Sequence, residues 1–353
     1  MRSPESGSRP GLVRAEQRTR SVGRQRSGAP LRAGLIGFGA MGRNHARVLG
    51  GLPGVELAGV VDPLGGAGPC GVPVLRKLER LLALGIDYAV VACPTAEHEA
   101  VGLRLAEAGV PALIEKPLAP DSRAAGRLVA AFDGLVAGVG QVERYNPALQ
   151  QLRTRLAAGE LGEVYQVSTR RQGPFPQRIA DVGVVQDLAT HDIDLTGWIT
   201  GQAYASVAAR TVRKSGRPHE DMVAVVGTLA DGTMVSHLVN WLSPQKERQV
   251  AVTGERGCLV ADTLTGDLTL HANGAVATEW ELVRAFRGVT EGDVVRYAFP
   301  KREPLLSEHE QFREAVAGRP ATIVPLAEGL RTVTVAESVL AAAGRPVPLE
   351  VAG

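Results

Sequence analysis

The sequence predicts an α/β protein: a doubly wound parallel sheet in the N-terminal half, followed by an α+β half with an open, largely antiparallel sheet. Three observations carry this. Short apolar runs alternate with stretches of helical period from Leu31 to Val142; a glycine-rich turn separates the first run from the first helix; and beyond Pro147 longer runs alternate with period two and are joined by turn residues.

The elements follow in order. Ala33-Gly34-Leu35-Ile36 reads as a buried strand, Gly37-Phe38-Gly39-Ala40-Met41-Gly42 as a turn, and Arg43 to Leu49 as a helix. In that context the glycines of a G-x-G-x-x-G pattern serve three ends, namely the tight turn, close approach of backbone to a pyrophosphate, and packing of helix on strand. The helix N-terminus then directs its free N–H groups at the phosphates. Residues 31–147 are therefore expected to form a Rossmann domain. Val55 to Val61 is the second strand, ending at Asp62, 20 residues beyond Gly42. An acid at that tip accepts hydrogen bonds from ribose hydroxyls and repels a ribose phosphate, and Pro63-Leu64 supplies no arginine, so NAD is expected rather than NADP. The plainer reading is that Asp62 only opens the turn before the glycine-rich stretch Gly65 to Gly71.

Asp87 to Ala92 is the next strand, ending at Cys93-Pro94-Thr95, and Ala96 to Ala108 is an amphipathic helix. Pro111 to Ile114 delivers Glu115-Lys116-Pro117 at its carboxyl end, where open parallel sheets bind ligands. A helix from Asp121 to Phe132 and a strand from Val136 to Val142 complete the domain. Residues 148–353 are expected to hold substrate and an oligomer contact. They comprise a helix from Ala148 to Ala158, a strand from Val164 to Arg170, and several strands over 203–284 with turns at Asp231-Gly232 and Gly254-Glu255-Arg256-Gly257. Helices from Leu305 to Val316 and Leu326 to Ala343 follow, free to pack back on the Rossmann domain.

Composition narrows the class. The chain has 353 residues, 44% hydrophobic and 22% charged, enough for two cores. No apolar run approaches the roughly 18 to 20 residues of a membrane span. Cys70, Cys93 and Cys258 are scattered and odd in number, which favours a reducing cytosol and a cytoplasmic protein. The net charge of +2 is uneven, because residues 1–30 hold seven arginines against Glu5 and Glu16. That Ser-, Gly- and Pro-rich segment reads as a disordered tail, a transit peptide or an upstream start. The body has no basic stripe with interleaved aromatics, so nucleic acid is not expected as a partner, and the seven histidines lack metal-ligand spacing.

Two motifs carry chemistry. Asp187-Leu188-Ala189-Thr190-His191 puts an acid and an imidazole one helical turn apart on one face, and Glu115-Lys116-Pro117 ends a strand at the ligand edge of a sheet. Oxidising a secondary alcohol needs a base for the hydroxyl proton, a cation or donor for the developing alkoxide, and a nearby hydride acceptor. His191 suits the base, Lys116 the electrostatic role, and Asp187 could relay the proton or hold a neighbouring hydroxyl. The duller readings are a solvated lysine and a surface ion pair or helix cap. His45 packs in the first helix on this reading; His98 either approaches the cofactor or serves as a structural donor. Arg144, Tyr145 and Asn146 mark the crossing between domains, either lining a substrate pocket or forming a structural junction. Arg170, Arg171, Gln172 and Arg178 could take a diphosphate; Asp181, Asp192, Asp194, Glu220 and Asp221 could take a polycation. Both sets are present.

The turn from Gly37 to Gly42, the strand end Glu115-Lys116-Pro117, and the pair Asp187 and His191 resemble the glucose–fructose oxidoreductase and inositol dehydrogenase family, Gfo/Idh/MocA, from about residue 31 onward. Val139 to Pro147 and Asp181 to Leu188 are similar to its sugar-nucleotide 3-dehydrogenases and its dehydrogenases of aminoglycoside assembly. The resemblance implies oxidation of a ring secondary alcohol of a hexose-type carbohydrate to a ketone, the 3-position foremost. It also implies a homo-oligomer, dimer or tetramer, and a cofactor site from Gly37, Phe38, Gly39, Ala40, Met41, Gly42, Asp62, Pro94, Thr95, His98, Glu115 and Lys116. Lys116, Arg144, Tyr145, Asn146, Arg178, Asp187 and His191 would meet the substrate. An inositol or aminocyclitol dehydrogenase is the alternative, as is a non-catalytic NAD-sensing regulator; joint presence of Lys116, Asp187 and His191 argues against the latter.

Overall fold

The computed structural model describes residues 29–66, 68–175, 182–274 and 290–344. Arg178, Asp181 and nearly all of the arginine-rich tail lie outside them.

Six parallel strands form the first sheet: β1 (Leu31–Ile36), β2 (Val55–Val61), β3 (Val74–Leu75), β4 (Tyr88–Val91), β5 (Ala112–Glu115) and β6 (Ala137–Gly140), in the order β3-β2-β1-β4-β5-β6. Helices α1 (Ala40–Gly51), α2 (Leu78–Leu82), α3 (His98–Glu107) and α4 (Ser122–Ala131) connect them. Strand order reverses between β1 and β4, so their carboxyl ends flank a crevice, and the glycine turn opens onto it. The strands are nearly continuous apolar runs because both faces are covered. Leu35, Val60, Tyr88 and Val90 pack on one side; Ile36, Val61, Val91 and Ile114 pack on the other. The last strand stops at Gly140 rather than Val142, because the chain turns at Gln141 into a short 3-10 segment, Val142–Tyr145. β3 and α2 are too short to leave a periodic signal.

Eight strands form the second sheet: β7 (Val164–Gln172), β8 (Tyr204–Val212), β9 (Met222–Leu229), β10 (Met234–Asn240), β11 (Glu247–Gly254), β12 (Gly257–Asp262), β13 (Asp267–Gly274) and β14 (Thr290–Arg296), in the order β14-β13-β12-β11-β7-β10-β9-β8. Every pair is antiparallel except β7 with β10. Gly232, at φ +89°, makes the β9–β10 turn, where a side chain would be strained. One face is covered by α5 (Pro147–Ala157) and α6 (Thr190–Thr200), whose Leu149, Leu152 and Leu195 meet Val167, Val235 and Val252. Among the described residues the other face is open, with Val226, Met234 and Leu238 exposed.

The last two helices, α7 (Pro304–Val316) and α8 (Leu326–Ala343), return to the first sheet. Phe312 of α7 meets Tyr88 edge-on with ring centroids 5.6 Å apart. Before α8, the carbonyl of Val324 accepts the N–H of Val139 at 2.9 Å and covers the β6 edge. Ala336 and Val339 of α8 pack with Val185, Ile193 and Val223 of the second half, so this helix touches both units. No described helix is long and apolar enough to cross a membrane.

Candidate active site

The glycine turn meets the needs of a dinucleotide seat. Gly37 lies at φ +92°, and a Cβ there would come within 2.5 Å of the Ala92 carbonyl oxygen; one on Gly42 would come within 2.0 Å of the Gly37 carbonyl oxygen. A Cβ on Gly39 would meet nothing within 4 Å, and α1 starts there with no side chain capping its free N–H groups. That is an open, donor-rich helix start for phosphate, with Ala40 exposed and Phe38 and Met41 half-buried beside it. Asp62 stands at the tip of β2. Its carboxylate accepts the N–H of Phe38 at 2.8 Å and of Leu64 at 2.9 Å, so it fastens the glycine turn as well as standing where the ribose is expected. Pro94 is exposed and Thr95 half-buried just beyond the end of β4. These residues fit NAD, which when bound supplies the hydride acceptor.

Two residues expected at the cofactor face inward. The His98 ring lies 3.0 Å from the Pro117 carbonyl and 3.1 Å from that of Cys93, bracing the ends of β4 and β5. Burial holds its pKa down, and the neutral ring donates to one of these two carbonyls. Glu115 is buried, with one oxygen on the His45 ring at 2.9 Å and the other accepting the N–H of Lys116 at 3.0 Å.

Lys116 leaves the end of β5 and reaches the second half. Its Nζ donates to the backbone carbonyl of Asp187 at 2.7 Å and lies 3.4 Å from the Asp187 carboxylate. The segment bearing that aspartate, Val185–Ala189, is a π-helical turn running directly into α6, where the sequence spacing predicts an ordinary helical turn. The wider turn has a local cause and consequence: Glu220 accepts the N–H of Val185 at 3.0 Å, and carbonyls in the turn take side-chain donors, Gln186 from Thr190 and Asp187 from Lys116.

Helix α6 is buried nearly all round and carries three ionisable side chains, His191, Asp192 and Asp194. Asp192 accepts from Arg171 at 3.0 Å, and Asp194 accepts two bonds from Arg144, each 2.7 Å. His191 differs, since its Nδ1 is buried without a hydrogen-bond partner. Its pKa is held well below the usual histidine value by burial first and then by Lys116, Arg171 and Arg248. A neutral imidazole in the field of the Lys116 ammonium can accept a hydroxyl proton.

At the domain junction the expected residues have partners within the protein. Arg144 is committed to Asp194 and Glu328, Tyr145 donates to the Thr322 carbonyl at 3.1 Å, and Asn146 caps α5 through the N–H of Ala148 while donating to the Thr263 carbonyl. Their polar groups tie elements together. The charges considered for a diphosphate or a polycation are also engaged. Arg170 pairs with Glu247 on the open sheet face, Gln172 bonds Glu247, and Arg171 bridges Asp192 and Glu143. Asp221 accepts from Lys214, Ser215 and Trp241.

Glu143 and Arg248 escaped the sequence reading. Arg171 and Arg248 sit directly opposite one another on neighbouring strands, facing α6, and Glu143 lies between them at 2.9 and 3.4 Å. Burial pushes the Glu143 carboxyl up, but the two arginines outweigh it and leave the pKa lowered. A signal existed: period two along β11 aligns Arg248 with buried Val250 and Val252, and an arginine in an inward register demands a partner.

The chain is similar to known proteins in both halves. Residues 31–141 match the model of an oxidoreductase family with an NAD-binding Rossmann fold, and residues 149–260 match the GFO/IDH/MocA C-terminal domain. The chain is 31% identical to the UDP-N-acetylglucosamine 3-dehydrogenase of Acidithiobacillus ferrooxidans over 81% of its own length and 89% of the relative's. A solved structure of that enzyme superposes with a TM-score of 0.75 over 88% of this chain and 97% of that one, at 27% identity. GenD2 from gentamicin A biosynthesis, solved with NAD, gives a TM-score of 0.74 at 27% identity, covering 97% of this chain and 100% of that one. An inositol 2-dehydrogenase of Saccharopolyspora erythraea is 27% identical over 91% of this chain and 96% of the relative. The glycine seat, the strand-end lysine and the shared length of both halves thus make this chain a member of the Gfo/Idh/MocA family of oxidoreductases.

Proposed function

We propose that this protein is an NAD-dependent dehydrogenase that oxidises a ring secondary alcohol of a hexose-type carbohydrate to a ketone, with the 3-position the expected site. The observation that carries the reading is the meeting of Lys116 with Asp187 beside a neutral, partly unsatisfied His191. His191 accepts the hydroxyl proton, Lys116 steadies the negative charge growing on that oxygen, and Asp187 holds the ammonium in place. The carbon's hydride passes to NAD, so one alcohol gives one ketone, one NADH and one proton.

The substrate is a sugar nucleotide or an aminoglycoside-type intermediate, the two classes named by the relatives described above. Inositols are the second reading, supported by the inositol dehydrogenases among the relatives. The protein works in the cytoplasm, in keeping with its scattered cysteines. It associates through the open face of the second sheet, where Val226, Met234, Leu238 and Val294 are exposed. The deciding experiment follows NADH absorbance with NAD and a panel of UDP-sugars, pseudodisaccharides and free inositols. Turnover of UDP-sugars or pseudodisaccharides supports the reading, turnover of inositols alone replaces it, and silence across the panel overturns it.

A further inference from the structure

Behind Lys116 lies a second set of ionisable groups that proton and hydride transfer do not use. His45 of α1, Glu115 at the end of β5, and Glu308 and His309 of α7 come from three stretches of chain and are all buried. His45 Nε2 is 2.9 Å from Glu115 Oε1, and His45 Nδ1 is 2.8 Å from His309 Nε2. The other Glu115 oxygen accepts the backbone N–H of Lys116 at 3.0 Å. Gly140 leaves room for the carboxylate, since a Cβ there would crowd it at 3.1 Å.

Proton positions follow from what each atom can do. Burial pushes the Glu115 carboxyl up, but His45 and Lys116 outweigh it, so Glu115 stays an acceptor and His45 donates through Nε2. His309 Nε2 meets His45 Nδ1, and the other His309 nitrogen, Nδ1, is without a hydrogen-bond partner. Burial holds His309 neutral and, with Glu115 nearby, keeps the Glu308 carboxyl protonated far above the usual range. The cluster therefore presents the Glu115 carboxylate, held by His45, to the backbone N–H of Lys116.

We propose that His45, backed by His309, is a positioning residue for Lys116: it fixes the Glu115 carboxylate, and through it the backbone from which the ammonium projects. Because α1 begins at the glycine turn, the same ring ties the pyrophosphate seat to the group that steadies the substrate oxygen. Lys116 is thus held at two ends, its N–H by Glu115 and its Nζ by Asp187. An apolar pair would fill the space under α1 without setting a direction; a ring bonded on both sides sets one. The proposal rests on the dehydrogenase reading for what Lys116 does, but the link itself does not.

The test compares His45→Ala, His45→Gln, His45→Asn and His309→Ala in the full chain. Glutamine can place a donor near the position of Nε2, whereas asparagine places one near Nδ1 and leaves Glu115 unheld. Two readouts are taken: the rate at which acetic anhydride labels Lys116 in the NAD-loaded protein, by mass spectrometry, and kcat and KM on any panel sugar that turns over. His45→Ala should change Lys116 labelling about threefold or more and lower kcat roughly tenfold to a hundredfold, with KM and NAD affinity near wild type. His45→Gln should recover most of both, and His309→Ala should fall between. If His45→Ala does not fold, the contrast of His45→Gln with His45→Asn decides the same point. Wild-type labelling in His45→Ala and His45→Asn, or losses that glutamine does not recover, would overturn the proposal. If wild type turns over no sugar, the dehydrogenase reading fails while labelling still decides whether His45 holds Lys116.

Discussion

Lys116 Nζ sits 2.7 Å from the backbone carbonyl of Asp187, joining the carboxyl end of β5 to the π-helical turn that leads into α6. This contact brings the two chemical motifs to one place, although 71 residues separate them. The carbonyl is an uncharged acceptor, so it orients the ammonium without neutralising it, and the carboxylate at 3.4 Å adds a looser pull. Replacing Lys116 with Met removes the charge and keeps the length. Turnover should fall about a hundredfold or more while NAD binding persists, measured by steady-state kinetics beside cofactor titration. Equal activity in the two proteins would end the electrostatic role.

The His191 base should work at lower pH than an ordinary histidine. Burial, Lys116, Arg171 and Arg248 all disfavour its charged form, so its acid limb in kcat/KM is expected well below about 6.5. Arg248→Gln removes one of those cations and should move that limb upward. A limb at the same pH in both proteins would show that the titrating group lies elsewhere.

Arg144 separates a junction role from a substrate role. Its guanidinium makes two 2.7 Å bonds to the buried Asp194 carboxylate and pairs with Glu328. Arg144→Met strands that carboxylate and should cost about 3 to 5 kcal/mol, a fall of roughly 10 °C in Tm. KM should hardly change in the fraction that remains folded. A large rise in KM with an unchanged Tm would restore the residue to the substrate pocket.

Acid stability should report His237, whose ring lies 2.8 Å from both the Thr169 and Tyr204 hydroxyls. Burial lowers its pKa to about 4, so the unfolded chain binds a proton first as the pH falls below about 6.5. Stability is therefore full above that value and drains away down to about 4, by ~3 kcal/mol from this group. Denaturant titrations from pH 7 to 4.5 should show the slope, and His237→Gln should flatten it even if the variant is weaker at pH 7. An unchanged slope would assign the loss to other buried groups.

The sequence by itself determined the local grammar of this protein. The glycines from Gly37 to Gly42, the acid Asp62, the lysine at a strand end and the pair Asp187 and His191 are legible because their roles depend on neighbours a few residues away. Turns at Gly232 and Gly257 are legible for the same reason: backbone at positive φ excludes most side chains. Tertiary structure alone decided which charges face each other. From sequence, Arg144 is open to a pocket or a junction role and Arg171 to holding a diphosphate; in the fold Asp194 and Glu328 meet the one, and Asp192 and Glu143 the other. The His45–Glu115–His309 chain joins residues 70 and 264 positions apart, beyond any local period. A buried ionisable group must find its partner wherever the fold brings one, and sequence spacing carries no record of that partner.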